Sequence, residues 1–106
     1  MLLNFGVMKD QAYLSITHQS ELDDYCQKIL ANSEITWIAI DTEFVRVDTF
    51  FPELSLVQIQ DCLGNAVIID PWAIKDSATT DTPLHALVEL LASEELVKVF
   101  HSARQD

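Results

Sequence analysis

Basic residues are scarce. The 106-residue chain has 6 Lys and Arg against 17 Asp and Glu, a formal net charge of −11. Neutralising a phosphate backbone takes Lys and Arg in excess, so composition alone argues against a simple basic nucleic-acid binder. Glycine and proline are few as well, 2 and 3, which leaves little room for long loops. The two cysteines, Cys26 and Cys62, are far apart, with no C-x-x-C pair and no histidine at zinc-ligand spacing. They read as reduced, packed thiols of a cytosolic protein rather than a disulfide framework or a zinc site. No run approaches the roughly 20 apolar residues that span a bilayer, so no membrane partner is expected. Met1-Leu2-Leu3 does not open a charged n-region followed by a long apolar core, as a secretory leader would. Repeats, low-complexity segments and linker-like stretches are missing too. What is plentiful is hydrophobic character, 49%. A disordered tail is low in it, and the length suits about one domain.

Residues 1–10 show no period, and Met8 is an alternative start that would make residues 1–7 an upstream extension. Residues 12–17 alternate as a short strand, Tyr13, Ser15 and Thr17 against Leu14 and Ile16. Ser20-Glu21-Leu22-Asp23 resembles a capping box, opening a helix with Leu22, Tyr25, Cys26, Ile29 and Leu30 at helical spacing to about Ala31. Residues 35–40 are β-branched and nearly all apolar, which predicts a central strand buried on both faces. This strand runs into Asp41-Thr42-Glu43-Phe44-Val45. Thr49-Phe50-Phe51-Pro52 interrupts as a turn. Residues 54–60 alternate, Leu54, Leu56 and Gln58 on one face and Ser55, Val57 and Ile59 on the other. Residues 61–65 form a hairpin turn with Gly64 for positive φ, and 66–69 return as a strand closed by Asp70-Pro71. Asp81-Thr82-Pro83 opens a second helix whose stripe is Leu84, Leu87, Val88 and Leu91. Residues 96–100 are a last strand. The order β-α-β-β-β-α-β predicts an α/β or α+β domain, a mixed sheet with helices packed on it.

Most of the acids suit solvated faces: Glu21, Asp23 and Asp24 favour a helix start, and Glu94 and Glu95 mark a turn. Asp41 and Glu43 differ. Strand period points both to one face, their Cα atoms about 6.5 Å apart. Two carboxylates there repel each other and are costly to leave dry. A cation resolves both problems, and hard oxygen ligands suit Mg²⁺ or Mn²⁺ rather than zinc. The alternative is that the strand ends at Ile40 and Asp41 caps a loop in solvent. His101-x-x-x-x-Asp106 is weak by itself. Beside Asp41-x-Glu43 it supplies a third carboxylate, enough for a two-metal centre that stabilises the attacking and leaving oxygens of a phosphodiester.

Asp41-Thr42-Glu43-Phe44-Val45-Arg46, followed by Thr49-Phe50-Phe51-Pro52-Glu53-Leu54-Ser55-Leu56-Val57-Gln58-Ile59-Gln60, closely resembles the first motif and hairpin of the ribonuclease D family. Ile68-Ile69-Asp70-Pro71 and Val99-Phe100-His101-Ser102-Ala103-Arg104-Gln105-Asp106 fit that family's next strand and the start of its second motif. The resemblance implies a ribonuclease H-like α/β fold, a mixed sheet flanked by helices, of the DEDD 3′-5′ exonuclease superfamily. It implies metal-dependent hydrolysis of 3′-terminal phosphodiesters in RNA, typically tRNA and other structured precursors, with release of nucleoside monophosphates in the cytoplasm. Asp41, Glu43 and Asp106 would correspond to metal ligands and catalytic acids. Backbone around Thr42 and Phe44 would approach the terminal nucleotide, and His101 would pack near the site.

The family's third motif, a Tyr followed by a fourth carboxylate, has no match in this sequence. Residues 8–106 are therefore expected to be the N-terminal part of the exonuclease domain, incomplete and inactive alone. A sheet edge left unpaired is then expected to drive self-association. The other reading is a non-catalytic relative that binds RNA or protein, although binding alone requires neither Asp41 nor Glu43. A phosphotransferase with an Asp nucleophile would want a second Asp in place of Glu43. The charge deficit also changes meaning, because Asp41, Glu43 and Asp106 become seats for cations that meet phosphate, with Arg46, Lys98 and Arg104 as modest local help.

Overall fold

The computed structural model describes residues 14–46 and 52–102. Its elements are β1 (Leu14–Ile16), α1 (Gln19–Ala31), β2 (Trp37–Arg46), β3 (Pro52–Asp61), β4 (Ala66–Ile69), α2 (Pro71–Ser77), α3 (His85–Ala92) and β5 (Val97–Ser102). The five strands form one mixed sheet in the order β1-β4-β3-β2-β5. The inner pairs β2–β3 and β3–β4 are antiparallel, and the outer pairs β1–β4 and β2–β5 are parallel. The expected mixed α/β sheet is thus present. Residues 1–7, Met8, Tyr13, the turn at 49–51 and Asp106 lie outside the described residues.

Cross-strand partners share a face, so the register sorts the sheet. Ile38 and Ile40 of β2 line up with Ile59 of β3, Val57 and Ile59 with Ile69 and Val67 of β4, and Ile69 with Ile16 of β1. That face is the core. Leu22, Cys26 and Ile29 of α1, Ile74 of α2, and Leu87 and Leu90 of α3 close over it in a single buried cluster. The β3–β4 hairpin turns where the sequence requires. Gly64 has φ +95°, and Asp61 Oδ1 accepts from the backbone N–H groups of Leu63 (2.9 Å) and Asn65 (3.0 Å).

Four expectations change. α1 starts at Gln19 with His18 as N-cap, so Ser20 is inside the helix. Glu21 Oε1 accepts from the backbone N–H groups of Thr17 (3.0 Å) and His18 (3.2 Å), and these bonds hold its carboxyl below the usual range. Asp70-Pro71 does more than close a strand. Asp70 accepts from Ala73 N–H (3.0 Å) and opens α2, with Pro71 at its start. In α3 the buried stripe is Leu87 and Leu90, while Val88 stands exposed, and the helix begins at His85, after the turn opened at Asp81-Thr82-Pro83. Lastly, β2 is not buried on both faces along its length: Trp37 is 42% exposed while Ile38 is fully buried.

Candidate metal-binding row on the open face of the sheet

The second face of the sheet is built from the other set of register partners. One row reads His101 of β5, Asp41 of β2, Gln58 of β3 and Ile68 of β4. The row nearer the start of β2 reads Val99, Ala39, Gln60 and Ala66. Val97 and Trp37 pair beyond it. Three polar side chains thus form a transverse line above an apolar strip. The strip is open: Val97 and Val99 are 61% and 52% exposed, and with Trp37, Ala39 and His101 they line a groove of about 620 Å³ along β5.

The polar line is buried at its Asp41 and Gln58 positions. Asp41 is fully buried and Gln58 is 5% exposed, while His101 is exposed. Burial pushes the Asp41 carboxyl above its usual range, because the charged form loses solvation. The nearby Glu43 charge pushes the same way, and His101 and the Thr42 N–H pull it back. Glu43 lies two residues further along β2, half-buried and opposite Leu56. Between Glu43 and Phe44 the β2–β3 register shifts by a bulge, and Ser55 Oγ donates to the Glu43 carbonyl (3.1 Å). Bulges re-aim side chains and terminate regular pairing, and this one sits directly after the carboxylate pair.

The structure therefore brings together Asp41, Glu43 and His101 on one face at the middle of β2, which continues to Arg46 and does not end at Ile40. Thr42 and Phe44 belong to the alternate set of β2 side chains, which points to the opposite face, and Phe44 is 46% exposed there. Their backbone, not their side chains, borders the carboxylates. Asp106 lies outside the described residues, and among the described residues no three His, Cys, Asp or Glu side chains converge as a metal cluster. The donor set that is described still suits a hard cation: two carboxylates, and beside them a neutral amide oxygen. Gln58 Oε1 is buried without a hydrogen-bond partner. Sequence reading placed Gln58 in the motif but gave it no role. Its alternation with Leu54 and Leu56 marks its face, but a neutral amide carries no charge signal.

Comparison with known proteins fits this arrangement. A family model described as 3′-5′ exonuclease matches residues 13–106. The ribonuclease D of Zymomonas mobilis is 40% identical over 96 residues, covering 91% of this chain and 22% of the relative. Among solved structures, Escherichia coli RNase D, an exoribonuclease involved in structured RNA processing, superposes with a TM-score of 0.68 at 33% identity, over 86% of this chain and 21% of that one. Trypanosoma brucei RNase D, solved in complex with RNA U12, shares the fold with a TM-score of 0.60 at 22% identity, over 83% of this chain and 29% of that one. The chain spans about a fifth of the length of the curated relatives it matches. No helix among the described residues is long and apolar enough to cross a membrane. With its mixed sheet, its paired carboxylates and a family match that runs over nearly all of its length, the chain belongs to the 3′-5′ exonuclease family.

Proposed function

We propose that this chain carries the first acids of a divalent-metal-dependent 3′-5′ exoribonuclease that trims RNA 3′ ends, including tRNA precursors, and releases nucleoside monophosphates in the cytoplasm. The observation that carries this reading is the fully buried Asp41, paired with Glu43 on one face in the middle of β2. Two acids on one strand face are the oxygen donors that a hard divalent cation takes. Asp41, Glu43 and Asp106 would hold Mg²⁺ or Mn²⁺. The bound cations supply charge neutralisation of the phosphodiester and activation of the water that attacks it.

The chain's own residues do the rest. Asp41 is held rigidly between two hydrogen-bonded strands, so its oxygens offer a fixed seat. Glu43 is half-buried and faces the open end, where a 3′-terminal phosphate can approach. The backbone at Thr42 and Phe44 borders that approach. His101 flanks Asp41 from β5. Residues 8–106 serve as the N-terminal part of the exonuclease domain, and residues 1–7 as an extension. RNA is the partner class, supported by the solved RNA complex of a fold neighbour and by the ribonuclease D relatives. The outer edge of β5, unpaired among the described residues, and the exposed Val97 and Val99 make self-association the expected state of the isolated chain.

The test is Mn²⁺-dependent release of nucleotide from a 3′-tailed RNA, by this chain and by an extended protein carrying sequence downstream of Asp106. The expected result is turnover by the extended protein only, abolished by Asp41→Asn. An inert extended protein would overturn the activity, and robust turnover by the 106-residue chain would overturn the claim that it is inactive alone.

A further inference from the structure

Gln58 carries a buried polar atom that the packing around it does not explain. Its Oε1 is inaccessible and accepts no hydrogen bond. A buried acceptor left in that state costs about 1–3 kcal/mol, and most such atoms in folded proteins find a donor. The register shows what is near. Gln58 stands opposite Asp41 on one side and Ile68 on the other. Directly opposite residues in antiparallel strands have Cβ atoms about 5 Å apart. Ile68 has no donor, and an ionised Asp41 is acceptor-only. Leu56, two residues before Gln58 on the same face, is apolar, and neither Gln60, two residues after it, nor His101 in the same row donates to Oε1. That leaves the face between β3 and β2 as the place for a donor brought by a ligand. The Asp41 charge selects a cation, or water around a cation, over an anion.

We propose that Gln58 is a positioning residue for the cation site: its amide oxygen faces the hydration shell of the ion held at Asp41 and fixes where that ion sits. The inference rests on the reading of Asp41 and Glu43 as cation ligands and adds a residue from the neighbouring strand. Outer partners of this kind orient the ligands, and their loss weakens metal binding by about 10- to 100-fold. An acceptor that stays unsatisfied until the ion arrives also links folding to loading. The empty protein bears the cost and the loaded one does not.

The experiment measures Mn²⁺ affinity, from the signal of free Mn²⁺ in electron paramagnetic resonance, and the metal-free melting temperature. It compares the native chain with Gln58→Met, Gln58→Glu and Asp41→Asn. Gln58→Met, which keeps length and removes the acceptor, is expected to weaken Mn²⁺ binding about tenfold while leaving the metal-free melting temperature unchanged or raised. Gln58→Glu is expected to tighten Mn²⁺ binding and to lower the metal-free melting temperature. Unchanged affinity in Gln58→Met overturns the proposal, as does unchanged affinity in Gln58→Glu if Gln58→Met does not fold. A lower metal-free melting temperature in Gln58→Met also overturns it, because Gln58 would then be a structural partner of a protonated Asp41. Asp41→Asn separates the two layers. If it binds Mn²⁺ as well as the native chain, the cation reading of Asp41 itself fails. If it loses binding while Gln58→Met keeps it, only the role of Gln58 fails.

Discussion

The two faces of the sheet are made from the same strands and could hardly differ more. On one, Ile38, Ile40, Val57, Ile59, Val67 and Ile69 meet three helices in a continuous apolar cluster. On the other, a buried polar row borders an apolar strip that no described helix covers. The first face has a single task, to exclude water. The second buries a carboxylate that burial pushes above its usual range and an amide oxygen with no donor. Stability is concentrated on one side of the β-layer, and chemistry on the other.

The sharpest way to break this contrast is to truncate matched positions. Ile59→Ala, at a fully buried site, should cost about 3 kcal/mol through lost burial and a residual cavity. Val99→Ala, 52% exposed on the open face, should stay within about 0.5 kcal/mol. Chemical denaturation measures both, and equal costs would mean that the faces are not distinct. The second check is on association. Light scattering of the isolated chain should give a species larger than a monomer, and Val99→Lys should weaken the association about tenfold by placing charge on an edge strand. A compact monomer that binds no hydrophobic dye would show that the open strip needs no cover. The smallest effect separates the thiols. Cys26 lies in the helix-covered core, and burial, with Asp23 and Glu89 adding to it, pushes its thiol up to about 12. Cys62 lies in the β3–β4 turn, and the N–H groups of Thr36 and Trp37 hold it below its ordinary value. The thiolate is the reactive form, so iodoacetamide at pH 8 should label Cys62 first, with Cys26 reacting only on unfolding. Mass spectrometry of tryptic peptides reads the order, and equal rates would refute the assignment of Cys26 to a sealed core.

Much of this was legible in the residues, for physical reasons. The hairpin was, because Gly64 serves a positive φ and Asp61 ties the turn. The carboxylate pair was, because two acids after an apolar β-branched run have no ordinary explanation. The start of α1 was misplaced by two residues. Ser20 and Asp23 match the capping pattern, yet Glu21 has the longer side chain and reaches two amides. α2 escaped notice because seven residues are too few to display a period. An apolar run also cannot say whether both sides are covered, so Trp37 and Ile38 read alike although one is half in solvent. Gln58 stood in the motif without a role, because its significance lies in what stands across from it, and register is a property of the fold.

The polar row depends on three strands keeping step. β2 is bonded antiparallel to β3 and parallel to β5, so Gln58, Asp41 and His101 reach one line from segments that run in different directions. A single inserted residue in β3 or β5 would turn every following side chain to the other face, moving Gln58 to the core face in place of Ile59, or His101 to the face that Phe100 now occupies. Insertions in the turn after Asp61 would leave the line intact. The arrangement thus fixes where the chain tolerates a change of length: at its turns, and nowhere along the strands that carry the row.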